Sequence, residues 1–207
     1  MTEQKALVIF AKLPRAGEVK TRLGSVAGME RAANIYGEFA QHAFSVGREV
    51  STNGTKVCVF YDPSSDEKDM REWVGEGFDF APQEGDNLGE RMRNAFLRTL
   101  RGGATRSIII GTDVPELTAA TVLEGFTHLR SNDVVLGPST DGGYYLLGMN
   151  GPVKDVFDRI PWSTGTVFSE TLSRLRTLKL THALLEELAD VDTIEDYNAY
   201  RVRKGSA

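Results

Sequence analysis

Four basic residues lie in one loop after the first apolar run of the sequence. The run Ala6–Ala11 is predicted to be a strand, and Lys12, Arg15, Lys20 and Arg22 follow it. The chain has a net charge of −5, so a cluster of cations at the end of a strand favours a site for phosphate groups. The contiguous Gly-Lys-Ser/Thr of a P-loop is missing. The sequence therefore predicts a phosphate-binding loop of another kind, and the alternative is a solvated loop that is basic by chance.

Two aspartates at separate predicted strand ends form a second candidate group. Asp113 follows the apolar run Ser107–Ile110, and Asp192 lies in the late segment Asp190–Thr193. Carboxylates at the ends of strands in one sheet are well placed to hold Mg²⁺, which takes one or two carboxylates together with phosphate oxygens. Mn²⁺ suits the same oxygen ligands. The alternative for Asp192 is a cap on the helix that begins near Thr193.

Two further segments combine glycine, hydroxyl and aromatic side chains. In the first, Asp141-Gly142-Gly143-Tyr144, the glycines permit either close approach of a ligand to the backbone or a tight hairpin. In the second, Trp162-Ser163-Thr164, a helix is predicted to begin. Free N–H groups at a helix start attract an anion, and the alternative is an ordinary Ser/Thr cap.

The segment Gln83–Arg91 has a weaker signal. It combines the amide of Gln83 with the glycines Gly85 and Gly89 and the cation of Arg91. Glycines allow a ligand to approach the backbone, and an amide can bind the edge of a nucleotide base. These four residues are the candidates for contacts with a base.

The segments above are separated by short apolar runs that alternate with stretches of helical period. This alternation predicts a sheet covered by helices on both faces. No linker or repeat divides the chain, so residues 1–207 are predicted to form one domain. The predicted strands are Ala6–Ala11, Lys56–Tyr61, Ser107–Ile110, Asp133–Leu136, Tyr144–Met149 and Ala183–Leu188. The predicted helices include Ala32–Phe44, Leu88–Leu100 and Ala119–Leu129, one that opens at Trp162 and one that begins near Thr193.

The composition is that of a soluble globular protein. Hydrophobic residues make up 41% and charged residues 26% of the 207 positions, which argues against disorder. The net charge and a pI near 5.3 argue against nucleic acid and anionic membranes as partners. No stretch reaches the ~18 apolar residues of a membrane span, and no secretion signal precedes the first strand, so the cytoplasm is the expected location. The oligomeric state is left open.

The one cysteine and the three histidines show no catalytic pattern. Cys58 lies in an apolar run, where packing is favoured over a nucleophilic role. His42, His128 and His182 are far apart in the sequence and are predicted to be surface or packing residues rather than zinc ligands.

Together the segments resemble a known superfamily. Six of them occur in order over nearly the whole chain: FAKLPRAGEVKTRL, QEGDNLGERM, GTDVPEL, GPSTDGGYYLLG, PWST and DVDTIEDY. The sequence is similar to the nucleotide-diphospho-sugar transferases, specifically to their small bacterial glycosyltransferase-like family (DUF2064). More distantly, it resembles 2-phospho-lactate guanylyltransferases and molybdenum-cofactor nucleotidyltransferases. The resemblance implies a GT-A-like, Rossmann-type α/β fold with a mixed, mostly parallel open sheet that binds a nucleotide over its strand ends.

The resemblance also implies roles for individual residues. Asp113 matches the principal metal carboxylate of the superfamily, although the Asp-x-Asp pair of many glycosyltransferases is absent because residue 111 is glycine. Tyr144 replaces the threonine that follows the glycine pair in the guanylyltransferases. The positions that match the nucleotide loop are Ala11, Lys12, Gly17, Lys20, Thr21 and Arg22, and the expected catalytic residues are Lys20, Asp113 and Asp141.

The implied activity is Mg²⁺-dependent transfer from a nucleotide-activated donor, in which Lys20 and Arg22 offset phosphate charge. A sugar transferase, favoured by the family resemblance, breaks the sugar–phosphate bond and releases a nucleoside diphosphate. A nucleotidyltransferase is attacked at the α-phosphorus and releases pyrophosphate, and the basic loop suits its triphosphate. A nucleotide-binding module without catalysis is the third alternative.

An acceptor site is expected where the two glycine and hydroxyl segments meet beside the nucleotide. A small anionic acceptor is predicted to place its phosphate or carboxylate at the helix start near Ser163 and Thr164. Asp141 is then expected to orient the acceptor hydroxyl or to accept its proton, and Tyr144 to line the pocket. The expected acceptor-binding residues are Asp141, Gly142, Gly143, Tyr144, Trp162, Ser163 and Thr164.

Overall fold

The chain folds around a mixed β-sheet. The computed structural model describes residues 4–151 and 154–205, and residues 1–3, where no secretion signal is expected, lie outside this part. The strands are β1 (Lys5–Ala11), β2 (Lys56–Tyr61), β3 (Asp79–Pro82), β4 (Arg106–Ile110), β5 (Val134–Pro138), β6 (Tyr144–Met149) and β7 (His182–Leu184). Their order across the sheet is β3-β2-β1-β4-β6-β5-β7. Strand β6 is antiparallel to β4 and β5, and the other neighbouring pairs among these strands are parallel.

Helices cover both faces of this sheet. They are α1 (Thr21–Ala27), α2 (Met29–Ser51), α3 (Glu67–Val74), α4 (Leu88–Arg101), α5 (Ala119–His128), α6 (Val167–Thr177) and α7 (Ile194–Gly205). Successive side chains of β1 point to opposite faces, so Leu7 and Ile9 pack in the core under α2 and α5, whereas Val8 packs under α4 and α6. The predicted α/β fold, with a mixed, mostly parallel sheet between two helical layers, is confirmed.

None of the helices in the described ranges combines the length and the apolar character that crossing a bilayer requires.

Three short elements, α1, α3 and β3, are not predicted by the sequence pattern. Helix α1 has 7 residues and buries Leu23 and Gly24, and α3 has 8 residues and buries Met70 and Val74. Strand β3 has 4 residues at the edge of the sheet. Elements of this length contain too few buried positions to establish a hydrophobic period.

Two predicted boundaries are wrong. Helix α6 begins at Val167 rather than at Trp162, because Pro161 to Thr166 form turns in which Thr164 Oγ1 donates to the carbonyl of Pro161 at 2.7 Å. Strand β7 ends at Leu184, and the predicted extension to Leu188 is reduced to an isolated bridge with Ser139.

Leu88 also differs from its predicted position on the buried stripe of α4. It is the first residue of that helix and is 43% exposed, whereas Met92 and Phe96 on the same stripe are buried. The stripe therefore begins one turn later than the sequence indicates.

The topology brings the candidate segments to one edge of the sheet. The parallel strands β1, β2 and β4 all end there, and the loop from β5 into antiparallel β6 lies at the same edge. The chain returns to this edge after β7, where the Val191 N–H donates to the Asp113 carbonyl at 3.1 Å. Segments from the two ends of the sequence thus become neighbours.

Candidate active site

A cleft of about 360 Å³ opens at this edge of the sheet. The loops after β1 and β4 and the segment before α7 form its walls. Of the residues predicted to bind nucleotide or metal, it is lined by Ala11, Lys12, Lys20, Thr21, Arg22, Gln83, Asp113 and Asp192.

Lys20 lies between the two predicted metal carboxylates. Its Nζ is 2.5 Å from Oδ1 of Asp113 and 2.7 Å from Oδ1 of Asp192, and Arg22 binds the other carboxylate oxygen of Asp192. The Lys20 side chain is only 3% exposed, whereas that of Asp113 is 48% exposed. The two carboxylates therefore converge on one buried cation and remain accessible from the cleft.

The carboxylates of Asp113 and Asp192 stabilise the charged form of Lys20. Burial lowers the pKa of Lys20, but attraction and hydrogen bonding to Asp113 and Asp192 outweigh burial, and the pKa is raised above its usual value. Its backbone is left-handed, with φ 46°, at the residue that precedes α1. This conformation costs a non-glycine residue about 1–2 kcal/mol, and the two ion pairs help to hold it.

The cap of α7 is made without the Asp192 side chain. Thr193 Oγ1 accepts from the Asp196 N–H at 3.2 Å, and Asp196 Oδ2 accepts from the Thr193 N–H at 2.8 Å, which is a reciprocal capping box. Asp196 Oδ2 also accepts from the Asp192 N–H at 3.1 Å. The alternative of Asp192 as the helix cap is therefore wrong, and its carboxylate is available to cations.

The donor set fits a hard divalent cation. Because Asp113 and Asp192 both contact one ammonium, their oxygens lie on either side of a single cation position. Mg²⁺ is bound by one or two carboxylates plus phosphate oxygens and water. Within the described residues no group of three or more His, Cys, Asp and Glu side chains is suited to a metal.

The segment Gln83–Arg91 supports the cleft more than it lines it. Gln83 is buried, with Nε2 donating to the Phe60 carbonyl at 2.9 Å and Oε1 accepting from Arg91 at 3.3 Å. Arg91 also pairs with Asp62 at 2.9 Å. The amide that was predicted to contact a base is thus engaged on both sides, and Arg91 holds it in place.

The glycines Gly17, Gly85 and Gly89, which were predicted to bind the nucleotide, do not line the cleft. Gly17 has φ +80° in an open turn, and Gly85 has φ +134° beside Glu90. A Cβ on Gly89 would lie 2.3 Å from Nε1 of Trp162, so glycine permits the start of α4 to pack directly against that indole. Their roles in the structure are conformational and steric.

Sequence reasoning missed three polar residues of the cleft, Tyr36, Asp62 and Thr112. The Tyr36 hydroxyl accepts from the Lys12 N–H at 2.9 Å and from Thr112 Oγ1 at 3.3 Å, which ties the loop after β1 to the loop after β4. Burial raises the pKa of Tyr36 to about 12, so the hydroxyl stays protonated. Tyr36 lies on the apolar stripe of α2, so the hydrophobic periodicity of the sequence predicts only a packing role and not its hydrogen bonds.

A second cavity of about 540 Å³ adjoins the cleft and shares Arg22, Asp113 and Asp192 with it. The two glycine and hydroxyl segments meet here, because the Phe168 N–H donates to the Gly142 carbonyl at 2.9 Å. The predicted acceptor residues that line it are Asp141, Gly143, Tyr144, Trp162, Ser163 and Thr164.

Gly142 does not line this cavity. It has φ +85°, and a Cβ there would lie 2.0 Å from the carbonyl oxygen of Gly165. Tyr144 borders the cavity while its hydroxyl is buried beside Thr171, and burial raises the pKa of that hydroxyl. Tyr144 therefore does not offer its hydroxyl to a ligand, and Gly142 allows the two loops to touch.

Asp141 is fixed on the wall of the second cavity. Its Oδ1 accepts from Ser139 Oγ at 2.5 Å and from the Gly143 N–H at 2.8 Å, which leaves Oδ2 unengaged by those bonds. Asp190, which sequence reasoning did not select as a site residue, lies nearby. Burial raises the pKa of Asp190 to about 6, and the negative charges of Asp141 and Asp192 add to the effect.

The N–H groups at the start of α6 are engaged within the protein in this structure. The N–H groups of Thr166 and Val167 donate to the side chain and the carbonyl of Thr164, and that of Phe168 donates to Gly142. These donors are therefore not free for a ligand. The cavity is also acidic, since Arg22 is accompanied on its walls by the carboxylates of Asp113, Asp141, Asp190 and Asp192.

Comparisons with known proteins bear on the family and the fold of this chain. Residues 46–164 match the family described as "Uncharacterized protein conserved in bacteria (DUF2064)". No curated protein matches the chain.

Solved structures share the fold across nearly the whole chain. A Desulfovibrio desulfuricans protein, described provisionally as a nucleotide-diphospho-sugar transferase, is 33% identical over 100% of this chain and 90% of its own, with a TM-score of 0.90. A CMP:2-keto-3-deoxy-manno-octonic acid synthetase complexed with CTP is 15% identical over 99% of both chains, with a TM-score of 0.59. A Mycobacterium tuberculosis protein in complex with manganese is 16% identical over 96% of this chain and 98% of its own, with a TM-score of 0.56.

Proposed function

We propose that this chain, which belongs to the DUF2064 family, is a Mg²⁺-dependent transferase that uses a nucleotide-activated donor, most readily a nucleotide-diphospho-sugar. The observation that carries the proposal is the position of Lys20 between Asp113 and Asp192 in a cleft at the carboxyl ends of the strands. Open α/β sheets bind nucleotides at this edge. The relative that is 33% identical and is described as a nucleotide-diphospho-sugar transferase supports the sugar donor.

The residues of the cleft are proposed to bind two parts of the donor complex, its phosphate groups and its divalent cation. Lys12, Lys20 and Arg22 line it and neutralise the phosphate oxygens. Asp113 and Asp192 would hold the divalent cation, which would supply further positive charge to the leaving phosphate. Mn²⁺ fits the same ligands, and a relative with this fold was solved in complex with manganese.

In the proposed transfer step, side chains of this protein stabilise the leaving group and accept the proton. The oxygen of an acceptor hydroxyl forms a bond to the anomeric carbon while the bond from that carbon to the phosphate oxygen breaks. The electron pair leaves with the nucleoside diphosphate, and Lys20 and Arg22 stabilise the added charge. The hydroxyl proton passes to Asp141, which its bonds to Ser139 and Gly143 hold on the cavity wall.

The second cavity is proposed to hold the acceptor. It shares Asp113 and Arg22 with the cleft, so a molecule bound there reaches the donor phosphate. Its carboxylates outnumber its single cation, so the acceptor presents uncharged hydroxyl groups to these walls rather than a phosphate or a carboxylate.

Nucleotidyl transfer is the second candidate, and the three cations of the cleft favour it. Lys12, Lys20 and Arg22 together suit the higher charge of a nucleoside triphosphate. In that reaction the acceptor oxygen bonds to the α-phosphorus, the bond to the bridging oxygen breaks and pyrophosphate leaves. The synthetase that shares this fold was solved in complex with CTP, a nucleoside triphosphate.

Product analysis tests the proposal. The protein is incubated with Mg²⁺, sugar and amine acceptors, and either a set of nucleotide-sugars or a set of nucleoside triphosphates. Nucleoside diphosphate together with a glycosylated acceptor supports the sugar transferase, and pyrophosphate together with a nucleotidyl product supports the second candidate. If Mg²⁺–nucleotide binds and no donor is consumed with any acceptor, the chain is a nucleotide-binding module and both transfer reactions are rejected.

A further inference from the structure

Asp62 is a carboxylate of the cleft that the proposed transfer step does not use. It follows β2, and its N–H donates to the carbonyl of Ala11 at 2.9 Å, which sets it beside the start of the loop after β1. Its side chain is 22% exposed and lines the cleft. The carboxylate therefore lies where a bound donor can reach it.

A network of hydrogen bonds holds this carboxylate in place. Asp62 Oδ2 accepts from Arg91 Nη1 at 2.9 Å, and Oδ1 accepts from the Ser64 N–H at 2.9 Å. Arg91 in turn donates to the Gly85 carbonyl at 3.2 Å and to Gln83 Oε1 at 3.3 Å. The residues that follow β3 thus fix the position of Asp62 in the cleft.

The carboxylate can accept further hydrogen bonds. An ionised carboxylate has about four lone-pair sites, and the Ser64 N–H and the Arg91 guanidinium each use one, so sites remain for a ligand. Burial acts to raise the pKa of Asp62, but hydrogen bonds from Ser64 and Arg91 outweigh it and lower the pKa below its usual value. Asp62 is therefore a charged acceptor at the wall of the cleft.

The order of the strands indicates which part of a nucleotide lies near Asp62. Asp113 follows β4, Asp62 follows β2 and Gln83 follows β3, in a sheet of order β3-β2-β1-β4. Neighbouring strands are about 4.8 Å apart, so Asp62 lies about 10 Å along this edge from the residues after β4. In a nucleotide the ribose lies between the phosphates and the base. A nucleotide with its phosphates at Asp113 and its base toward Gln83 therefore places its ribose near Asp62.

Charge excludes the phosphates as partners of Asp62. A carboxylate repels phosphate oxygens, whereas the ribose offers two O–H donors on adjacent carbon atoms. Hydrogen bonds from hydroxyl groups to a charged acceptor are stronger than those between neutral groups. These two hydroxyls are common to all ribonucleotides, so the contact does not depend on the base.

We propose that Asp62 binds the ribose hydroxyls of the donor and makes the protein selective for ribonucleotides over nucleotides that lack these hydroxyls. The inference rests on the proposed nucleotide donor. It also gives a role to the segment Gln83–Arg91, because Arg91 is then the positioning residue that orients Asp62 toward the ribose.

The test is a calorimetric titration in the presence of Mg²⁺ that compares a ribonucleotide with its 2′,3′-dideoxy analogue. ATP, GTP, CTP and UTP are titrated first, and the base that binds most tightly is used for the comparison. Wild type is expected to bind the dideoxy analogue roughly tenfold more weakly or worse, because charge-assisted hydrogen bonds are lost. Asp62→Asn is expected to bind the ribonucleotide roughly tenfold more weakly than wild type does, and the dideoxy analogue within about twofold of wild type.

Asp66→Asn is the matched control. Asp66 belongs to the same loop, is exposed and does not line the cleft. Its side chain caps α3 by accepting from the Lys68 N–H at 2.7 Å, which asparagine also does well. This variant loses the same charge and should bind both ligands like wild type. Melting temperatures establish that both variants are folded, and the comparison of the two ligands on wild type requires no variant.

The outcomes separate this inference from the proposed function. Equal affinity of wild type for the two ligands overturns the inference. An equal loss of both ligands in Asp62→Asn also overturns it, because Asp62 would then contact the base or only support the fold. A protein that binds ribonucleotides selectively and transfers nothing refutes the transferase and keeps the ribose contact, whereas a protein that binds no nucleotide refutes both.

Discussion

At the scale of single residues, the ammonium of Lys20 occupies the space between the two carboxylates that we propose as ligands of a divalent cation. Asp113 and Asp192 repel each other once that ammonium is removed. If the two carboxylates hold a divalent cation as proposed, the balance of charge at this point should couple folding stability to metal binding.

Lys20→Met keeps the length of the side chain and removes its charge. Without Mg²⁺ this variant should lose roughly 1–2 kcal/mol of unfolding free energy, less than a fully buried pair would lose because Asp113 is half exposed. Added Mg²⁺ should restore more of the melting temperature in Lys20→Met than it adds to wild type, as measured by thermal unfolding with and without the ion. Equal responses to Mg²⁺ would show that the carboxylates do not share a cation.

Asp113→Asn keeps the size of the side chain and removes a carboxylate from the proposed metal site. The variant should lose the Mg²⁺-dependent part of its nucleotide affinity, because an amide is a poor substitute for a charged oxygen ligand. Calorimetry with and without Mg²⁺ measures this part. Asp86→Asn, at an exposed position outside both cavities, is the matched control and should bind like wild type. The metal assignment is wrong if the two variants behave alike.

Asp141→Asn separates catalysis from donor binding. Asp141 borders the second cavity but not the cleft, so nucleotide affinity should stay within about twofold of wild type. The rate of transfer should fall by roughly a hundredfold, the usual contribution of a positioned proton acceptor. Steady-state kinetics together with a nucleotide titration give both quantities. A loss of affinity as large as the loss of rate argues that Asp141 serves the donor instead.

At the scale of elements, the sequence predicts best where a period is long or a strand is fully buried. Helix α2, with 23 residues, and the apolar strand β4 are clear in the pattern, whereas α1 and β3 are too short to show one. The start of α6 was misplaced because Ser163 and Thr164 are typical capping residues, yet here they form turns that pack against the loop before β6. The start of α6 is therefore determined by the contact between these two loops and not by the capping preference of the local sequence.

Helix α7 offers a prediction at this scale, because its capping box also holds the backbone of Asp192. Asp196→Ala should cost about 1 kcal/mol of unfolding free energy at neutral pH. Burial acts to raise the pKa of Asp196, but hydrogen bonds from Thr193 and Asp192 outweigh it and lower the pKa below the ordinary value of 3.8.

The sign of the pH dependence follows from that shift. A depressed pKa in the folded state gives stability that is fully present above the unfolded value of 3.8 and is lost as the pH falls through the folded value. The stability difference between wild type and Asp196→Ala, measured by urea unfolding, should therefore shrink below pH 3.8. A difference that stays constant into acid would assign the effect to lost packing.

At the scale of the whole molecule, the convergence of the site was predictable because parallel strands end at the same edge. The acidic charge of the second cavity was not predictable from the sequence. It depends on Asp190 and Asp141, which face one space from loops that lie about 50 residues apart in the sequence. Nor does any sequence pattern reveal that Gly89 and Trp162 must touch. Such contacts between distant loops are set by packing, which a period along one chain segment does not encode.

The proposed metal site joins parts of the chain that are far apart, since Lys20 contacts Asp192 across 172 positions. Strand β1 is central in the sheet, and α7 packs with α1 and α2 in a shared apolar cluster. We therefore expect one cooperative unfolding transition, with equal calorimetric and van't Hoff enthalpies, as for a single domain. Mg²⁺–nucleotide at a hundred times its Kd should stabilise this whole transition by about 2.7 kcal/mol, because the ligand binds only the folded chain. Differential scanning calorimetry measures both quantities. Two transitions, of which only one moves with ligand, would mean that the half bearing Lys20 and the half bearing Asp192 fold separately and that the site is not built from both.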